Sequence, residues 1–393
     1  MMFRKPAPTA APVSVLLVLM VAMGPISTDL YLPALPAIQA AFSADVAGVQ
    51  LTLSIYLGTF AICQILFGPL SDRFGRRSVM MGGMAIYFAA SLVCVFAPSL
   101  EILILGRFLQ ALGACAGPVI ARAIVRDIHG PEAAGRALAR IAAAMGIAPL
   151  IGPVLGGYLT AQFGWQSCFV LTSIAGGMVL VGGFLLMSET NPYLDATATA
   201  PRQLMRNIGG LLRDRRFVGY TLAGTASYCG LFCFISGSSF VFIGILGVPA
   251  EVFGFCFSAA VVGFIAGAQI AGHMSNRQRA LTIGTLFNGV FGVALLIPVL
   301  AGIETVWTIL VPMVLYLIGM GLVLPHAQAG AVGDFGRIAG TASSLFGTVQ
   351  YAIAAVVGVV VGLFLDGSAL PMALGIALSG IAAIVAHFGL TRA

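Results

Sequence analysis

The stretch Gly68–Arg77, GPLSDRFGRR, joins two long apolar runs and decides how the rest of the chain is read. Its glycines and proline permit a sharp turn, and it sets one acid, Asp72, beside three bases, Arg73, Arg76 and Arg77. A turn of this kind between apolar runs belongs at a membrane surface. Arginines alone would mark any short cytosolic loop between membrane helices. The spacing of Gly68, Leu70, Asp72, Arg73, Gly75, Arg76 and Arg77 is more specific than that.

Outward from this loop the chain is apolar: 60% of its 393 residues are hydrophobic and 8% charged, against roughly 25% charged in soluble domains. A helix needs about 20 apolar residues to cross a ~30 Å hydrocarbon core, so the length accommodates about twelve crossings and almost no soluble domain. The net charge of +6 suggests nucleic acid until its placement is considered. All but two of the 19 Lys and Arg fall in alternate loops and the termini: Arg4, Lys5, the 73–77 cluster, Arg126, Arg136, Arg140, the 202–216 cluster, Arg277, Arg279, Arg337 and Arg392. The intervening loops carry Asp45, Glu101, Glu251, Glu304 and Asp366 instead. This is a positive-inside pattern with both termini cytoplasmic, and nucleic acid is not an expected partner. The cysteines lie within apolar runs without metal spacing and read as packing residues. The N-terminal apolar run follows Arg4 and Lys5 like a signal peptide, but it continues into Asp29 and a proline-rich helix end, so cleavage is not expected.

Hydropathy and loop charge together place spans near 12–35, 46–69, 79–97, 101–125, 137–160 and 166–187, then 217–244, 252–273, 280–301, 305–331, 338–365 and 369–390. The expected architecture is all-α and integral to the membrane: twelve transmembrane helices in two pseudo-symmetric six-helix bundles, 1–187 and 217–393. They are joined by a polar cytoplasmic linker, 188–216, that ends in a basic amphipathic stretch. The loop equivalent to Gly68–Arg77 in the second half, Gly272–Arg279, keeps a glycine and two arginines but no acid. Either the first loop has a duty beyond topology or the second has drifted.

Three charges sit inside spans: Asp29, Arg107 and Arg122. Asp29 lies about six residues from the proline-marked outer end of the first span and Arg107 about six from the outer end of the fourth, roughly 9 Å deep in both cases at ~1.5 Å per residue. An intramembrane acid costs roughly 2.5–3.5 kcal/mol on insertion scales, so it should face the bundle interior. The depth-matched pair is either a static ion pair that fixes packing or a proton site, with Asp29 titrating and Arg107 tuning it as the cavity changes sides. Arg122, about 60° around the helix from Arg107, either attracts an anionic substrate group or snorkels to the cytoplasm. In the fifth span Pro149 and Pro153 bend the helix, while Gly152 and Gly156 form a small-x-x-x-small surface. The aromatics of the seventh span, Tyr228, Phe232, Phe234, Phe240 and Phe242, are candidates for either a cavity wall or lipid contact, and Tyr228 and Phe232, which share a face, are the better candidates for the wall. No nucleophile–base or metal constellation appears, so neither an enzyme nor a cofactor is expected.

Several segments together carry a family resemblance: TDLYLPALP (28–36), GPLSDRFGRR, RFLQALG with Arg107, Gln110 and Gly113, ARAIVRD ending at Asp127, and IGPVLGGYL with Gly152, Pro153, Gly156 and Gly157. GLVLPHAQAG and GTASSLFGTVQ add to it in the tenth and eleventh spans. The chain resembles drug–proton antiporters of the major facilitator superfamily, in the branch of bicyclomycin and chloramphenicol resistance proteins. The resemblance implies a monomeric, proton-driven exporter of drug-like amphipathic small molecules in the lipid bilayer of a bacterial inner membrane, working by alternating access. A proton-coupled uptake symporter of the same fold is the alternative, against which the GP-x-x-GG segment argues. The resemblance also implies that Arg107 and Gln110 belong to proton coupling, that Asp72 contacts the start of the eleventh helix, and that Arg76 reaches Asp127 in a cytosolic latch. The substrate cavity would lie between the bundles near midplane, with Tyr228, Phe232, Gln110, Arg122 and His326 as candidate lining. His326 departs from the asparagine usual after the tenth-span proline and adds a titratable group.

Overall fold

The computed structural model describes residues 11–391 except 192–193, 195–200, 334, 336–337 and 366, without the side chains of 11, 129–145 and 201–204. Arg4, Lys5, Arg337, Asp366 and Arg392 lie outside the described residues, as do the side chains of Arg136, Arg140 and Arg202. Every described element is helical, as a lipid solvent requires when it offers no partner to a free backbone group. The helices are α1 (Ala11–Asp29), α2 (Leu35–Phe42), α3 (Val46–Phe74), α4 (Arg76–Val95), α5 (Leu100–Phe163), α6 (Gln166–Leu186), α7 (Pro201–Arg213), α8 (Arg215–Ser239), α9 (Ala250–His273), α10 (Arg277–Leu300), α11 (Val306–Gly333), α12 (Ala339–Phe364) and α13 (Leu370–Ala386). Short π-helical turns extend α8 through Phe240–Ile245 and α13 through His387–Thr391.

Polar caps fix where these helices begin. Asp45, Asp214 and Asn276 each accept from the backbone N–H three residues on, at 2.9, 2.8 and 3.0 Å. The first span is not one helix: α1 stops at Asp29 and the chain passes through a 3-10 turn, Leu32–Ala34, into α2. Pro33 and Pro36 enforce the break, because neither has an N–H to continue the ladder.

The two spans expected at 101–125 and 137–160 belong to one helical run, α5, of 64 residues, which would be roughly 96 Å long if straight. It is not straight. Arg107 donates to the Ser27 carbonyl and Gly152 packs on Asp29, so both legs reach the same turn of the first span, whereas a straight helix would separate them by roughly 70 Å. Among the described residues eleven helices are long and apolar enough to cross a membrane, and the second leg of α5 adds the twelfth traverse.

Two groups of helices result. In the first, α5 packs on α1, α3 and α4, and α6 on α1 and α4; in the second, α8 and α10 pack on both α11 and α13, and α9 on α11. The groups meet where α3 lies on α12 and the second leg of α5 on α9. Small residues bring the backbones together: a methyl at Gly117 would overlap the Met20 carbonyl, and one at Gly267 the Ile318 carbonyl. One end of the molecule carries Asp45, Glu101, Glu251 and Glu304, and the other carries the described loop arginines. Hydrogen bonds join the groups from the acidic end to mid-depth: Gln50 Nε2 donates to the Ser236 carbonyl, Ser258 Oγ to the Leu150 carbonyl and Thr348 Oγ1 to the Ala61 carbonyl.

Candidate functional site

Arg107 sits two turns inside α5, fully buried. Its Nη1 donates to the Ser27 carbonyl at 3.0 Å and to Gln110 Oε1 at 2.6 Å. The guanidinium carbon lies 4.2 Å from the ring centre of Tyr56 and 4.8 Å from that of Tyr31, a cation–π enclosure worth about 2 kcal/mol or more when desolvated. Its Nε and Nη2 are buried without a hydrogen-bond acceptor. A chain of hydrogen bonds fixes this arrangement: Gln110 Nε2 donates to Ser91 Oγ at 2.8 Å, which donates to the Tyr87 carbonyl. The Tyr87 hydroxyl in turn pairs with Ser27 Oγ at 2.6 Å. Ser27 Oγ already donates to the Met23 carbonyl, so Tyr87 is the donor in that pair.

Asp29 is 5% exposed and forms no ion pair with Arg107. Among the described residues its carboxylate has one hydrogen-bond partner, the neighbouring Thr28 hydroxyl at a long 3.3 Å. As the last residue of α1 it meets the negative end of that helix's dipole, which opposes a carboxylate. The two charges match in depth, but Arg107 is engaged by Ser27, Gln110 and the tyrosines while Asp29 faces the second leg of α5. There a Cβ at Gly152 would stand 2.9 Å from the Asp29 Cβ, and a methyl at Gly156 would overlap the Leu30 carbonyl. One residue on, Gly157 faces the Ala250 carbonyl of α9, and Gly254 of α9 packs on Pro153. This glycine ridge therefore does two things at once: it seats Asp29 and it closes the two groups of helices on each other.

The other candidates are distributed around this core. Gln110 is buried within the first group as the partner of Arg107, so it does not line the interface. Tyr228 of α8 does reach it: its ring lies edge-on to Tyr351 of α12 at 5.6 Å, and Tyr351 is likewise edge-on to Phe60 of α3 at 5.6 Å. This trio spans the two groups. Phe60 and Tyr351 were not apparent from sequence, because nothing local distinguishes one aromatic in an apolar helix from another. Phe232 is buried below Tyr228 against Gly358 of α12. Phe234, Phe240 and Phe242 are also buried, with Phe234 stacked on Phe257 at 5.5 Å, so they pack protein and do not meet lipid. Arg122 is exposed. His326 is half-buried near the Ala271 backbone of α9, with Nε2 unpartnered.

At the basic end the opening loop is a tight break between α3 and α4. Gly75 adopts φ +89°, a left-handed conformation that favours glycine, and a side chain there would collide with Glu189. Glu189 caps α4, accepting from the backbone N–H of Arg76 at 2.9 Å and of Arg77 at 3.1 Å. Arg76 binds Asp72 at 2.5 Å, Asp127 at 3.1 Å and Ser71 Oγ at 2.6 Å. Arg77 donates to the Met187 carbonyl at 2.9 Å, and Arg73 lies over the Phe74 ring. Gly68 has open space around it. Asp72 does not cap the eleventh span here: α12 begins after Ile338 with no side-chain cap, and the Asp72 carboxylate is taken by Arg76 at the start of α4, across the Gly75 break. Glu189 was missed in the sequence, where it is simply the first acid of a polar linker.

A family model described as the Major Facilitator Superfamily matches residues 17–359. Multidrug resistance protein D of Escherichia coli strain K12 is 30% identical over 336 residues, covering 85% of this chain and 84% of that protein. A bicyclomycin resistance protein homolog of Haemophilus influenzae is 27% identical and covers 93% of both chains. Among solved structures, a bacterial homolog of the human lysosomal transporter Spinster superposes over 99% of this chain and 96% of its own with a TM-score of 0.70, at 16% identity. With a helix bundle of twelve traverses, a glycine-set turn after its second and a family match over most of its length, this chain belongs to the major facilitator superfamily.

Proposed function

We propose that this protein exports drug-like amphipathic small molecules across a bacterial inner membrane in exchange for protons, with Asp29 as the proton site. The observation that carries the reading is Asp29 itself. It is a buried acid without a cationic partner, set at a helix break and pressed against the ridge that joins the two groups. An acid so placed is tolerated in a membrane when it cycles between protonated and charged forms as the interface opens. The relatives named for multidrug and bicyclomycin resistance support export of such compounds. In this reading residues 1–187 and 217–393 are the two rocking bundles and 188–216 the linker. The basic end faces the cytoplasm together with both termini, by the excess of arginine there. The present conformation is closed at the periplasmic end, and Arg122 and the Phe60–Tyr351–Tyr228 trio then face the cytoplasmic opening. Arg107 holds the first bundle in register beside Asp29, and the Arg76–Asp127–Glu189 cluster is the cytosolic gate, with Asp72 free to change partner when the bundles close. The transporter works as a monomer.

Asp29→Asn tests this. Purified protein should release protons when a transported drug is added. The variant should lose that release while its unfolding temperature stays near that of the parent. Proton release that survives the substitution would place the coupling site elsewhere.

A further inference from the structure

The linker helix α7 has a face that neither bundle covers. Asp214 ends it and caps α8, accepting from the Phe217 N–H at 2.8 Å, so α7 lies at the depth where α8 enters the bilayer. At 100° per residue its positions fall into three stripes. Leu211, buried among Phe217, Leu345 and Phe346, forms the protein-facing stripe with half-buried Ile208 beside it. Met205 and Leu212, seven residues apart, share the next stripe and are 67% and 52% exposed. Arg206 and Arg213, also seven apart, share the third and are exposed. The helix contains no acidic residue, and exposed Arg215 and Arg216 follow it directly. An apolar stripe bordered by arginines, at the level of the membrane surface, suits one surrounding: apolar side chains in the acyl boundary and guanidinium groups on phosphates.

We propose that α7 is an interfacial helix that docks on anionic phospholipid headgroups of the leaflet at the basic end, through Arg206 and Arg213, with Met205 and Leu212 inserted beside them. The site reaches the transport machinery by direct packing. Leu211 belongs to one buried cluster with Leu345 and Phe346 of α12, α7 packs on α12, and α12 is the helix on which α3 of the first bundle rests. Anionic lipid held by α7 would therefore bias how the second bundle sits against the first.

The test uses the full chain with a Leu212→Trp reporter, reconstituted in phosphatidylcholine vesicles containing phosphatidylglycerol, with one or the other lipid brominated. The parent chain supplies the background from Trp165 and Trp307. Brominated phosphatidylglycerol should quench the reporter more strongly than brominated phosphatidylcholine at equal mole fraction. The preference should fall about fivefold for each arginine removed in Arg206→Gln and Arg213→Gln. Equal quenching by the two lipids would overturn the anionic site. No quenching by either would place α7 off the membrane and overturn the docking altogether. The readout needs no transport, so it stands apart from the proton-export reading.

Discussion

In the first bundle Arg107 of α5 donates to the Ser27 carbonyl of α1 at 3.0 Å; in the second, the Tyr316 hydroxyl of α11 donates to the Ser227 carbonyl of α8 at 3.1 Å. The likeness extends to a third helix. Ser27 Oγ pairs with Tyr87 of α4 at 2.6 Å, and Ser227 Oγ with Asn288 Oδ1 of α10 at 2.8 Å. The same junction is thus built twice, with different chemistry. The second copy is neutral and closed on itself, since Asn288 Nδ2 donates back to the Tyr316 carbonyl at 2.8 Å. The first is charged and incomplete, because two guanidinium nitrogens have no acceptor. A buried charge stabilises a fold less well than a satisfied neutral cluster of the same shape. The second bundle therefore shows what the junction looks like when it only has to hold helices together, and the excess in the first points to function.

The largest effect should come from equalising the two copies. Arg107→Gln keeps a donor for the Ser27 carbonyl but removes the charge, and proton-driven efflux in inverted membrane vesicles should fall to background with the protein still folded. If efflux persists, the charge in the first junction is as structural as the tyrosine in the second, and the contrast between bundles loses its functional meaning.

Most of the fold was readable because its physics is local. Twelve apolar stretches and alternating loop charge are both set within a few residues. The glycines and arginines of Gly68–Arg77 were readable for the same reason. What escaped was set by helix crossings. Nothing within reach of Arg107 in sequence says that Tyr31 and Tyr56 enclose it, or that Asp29 at matching depth turns instead toward Gly152. Depth along a helix follows from counting residues, but which way a side chain points at a three-helix junction depends on packing partners far along the chain. The uninterrupted helicity of α5 escaped because hydropathy places two spans, 101–125 and 137–160, and leaves 126–136 between them.

A second pair of equivalents sharpens the comparison at smaller cost. The ridge of Gly152 and Gly156 has a counterpart in Gly358 and Gly362 of α12, which cross from the second bundle toward α3. Gly156 meets backbone, the Leu30 carbonyl, whereas Gly362 meets the side-chain stem of Gln50, 2.7 Å from where a Cβ would be. Backbone inside a helix junction cannot move aside, so Gly156→Ala should destabilise by about 1–3 kcal/mol. Thermal unfolding in detergent should show a clearly lower midpoint for Gly156→Ala than for Gly362→Ala. Equal midpoints would mean that both ridges yield alike and that Asp29 is not rigidly seated.

The smallest effect belongs to Tyr316→Phe. It removes one interhelical hydrogen bond whose acceptor, the Ser227 carbonyl, lies within a helix, and such bonds in membranes average about 0.6 kcal/mol with a ceiling of about 1.7. Unfolding should shift slightly and efflux should stay within about twofold of the parent, since that free energy is worth less than a factor of three. The value of so small a change lies in its pairing with Arg107→Gln. Tyr316→Phe removes the bond from the fourth helix of a bundle to the serine carbonyl of its first, whereas Arg107→Gln keeps a donor for the equivalent carbonyl and removes the charge. If only the arginine variant silences transport, the loss follows from charge and not from the bond that the two junctions share.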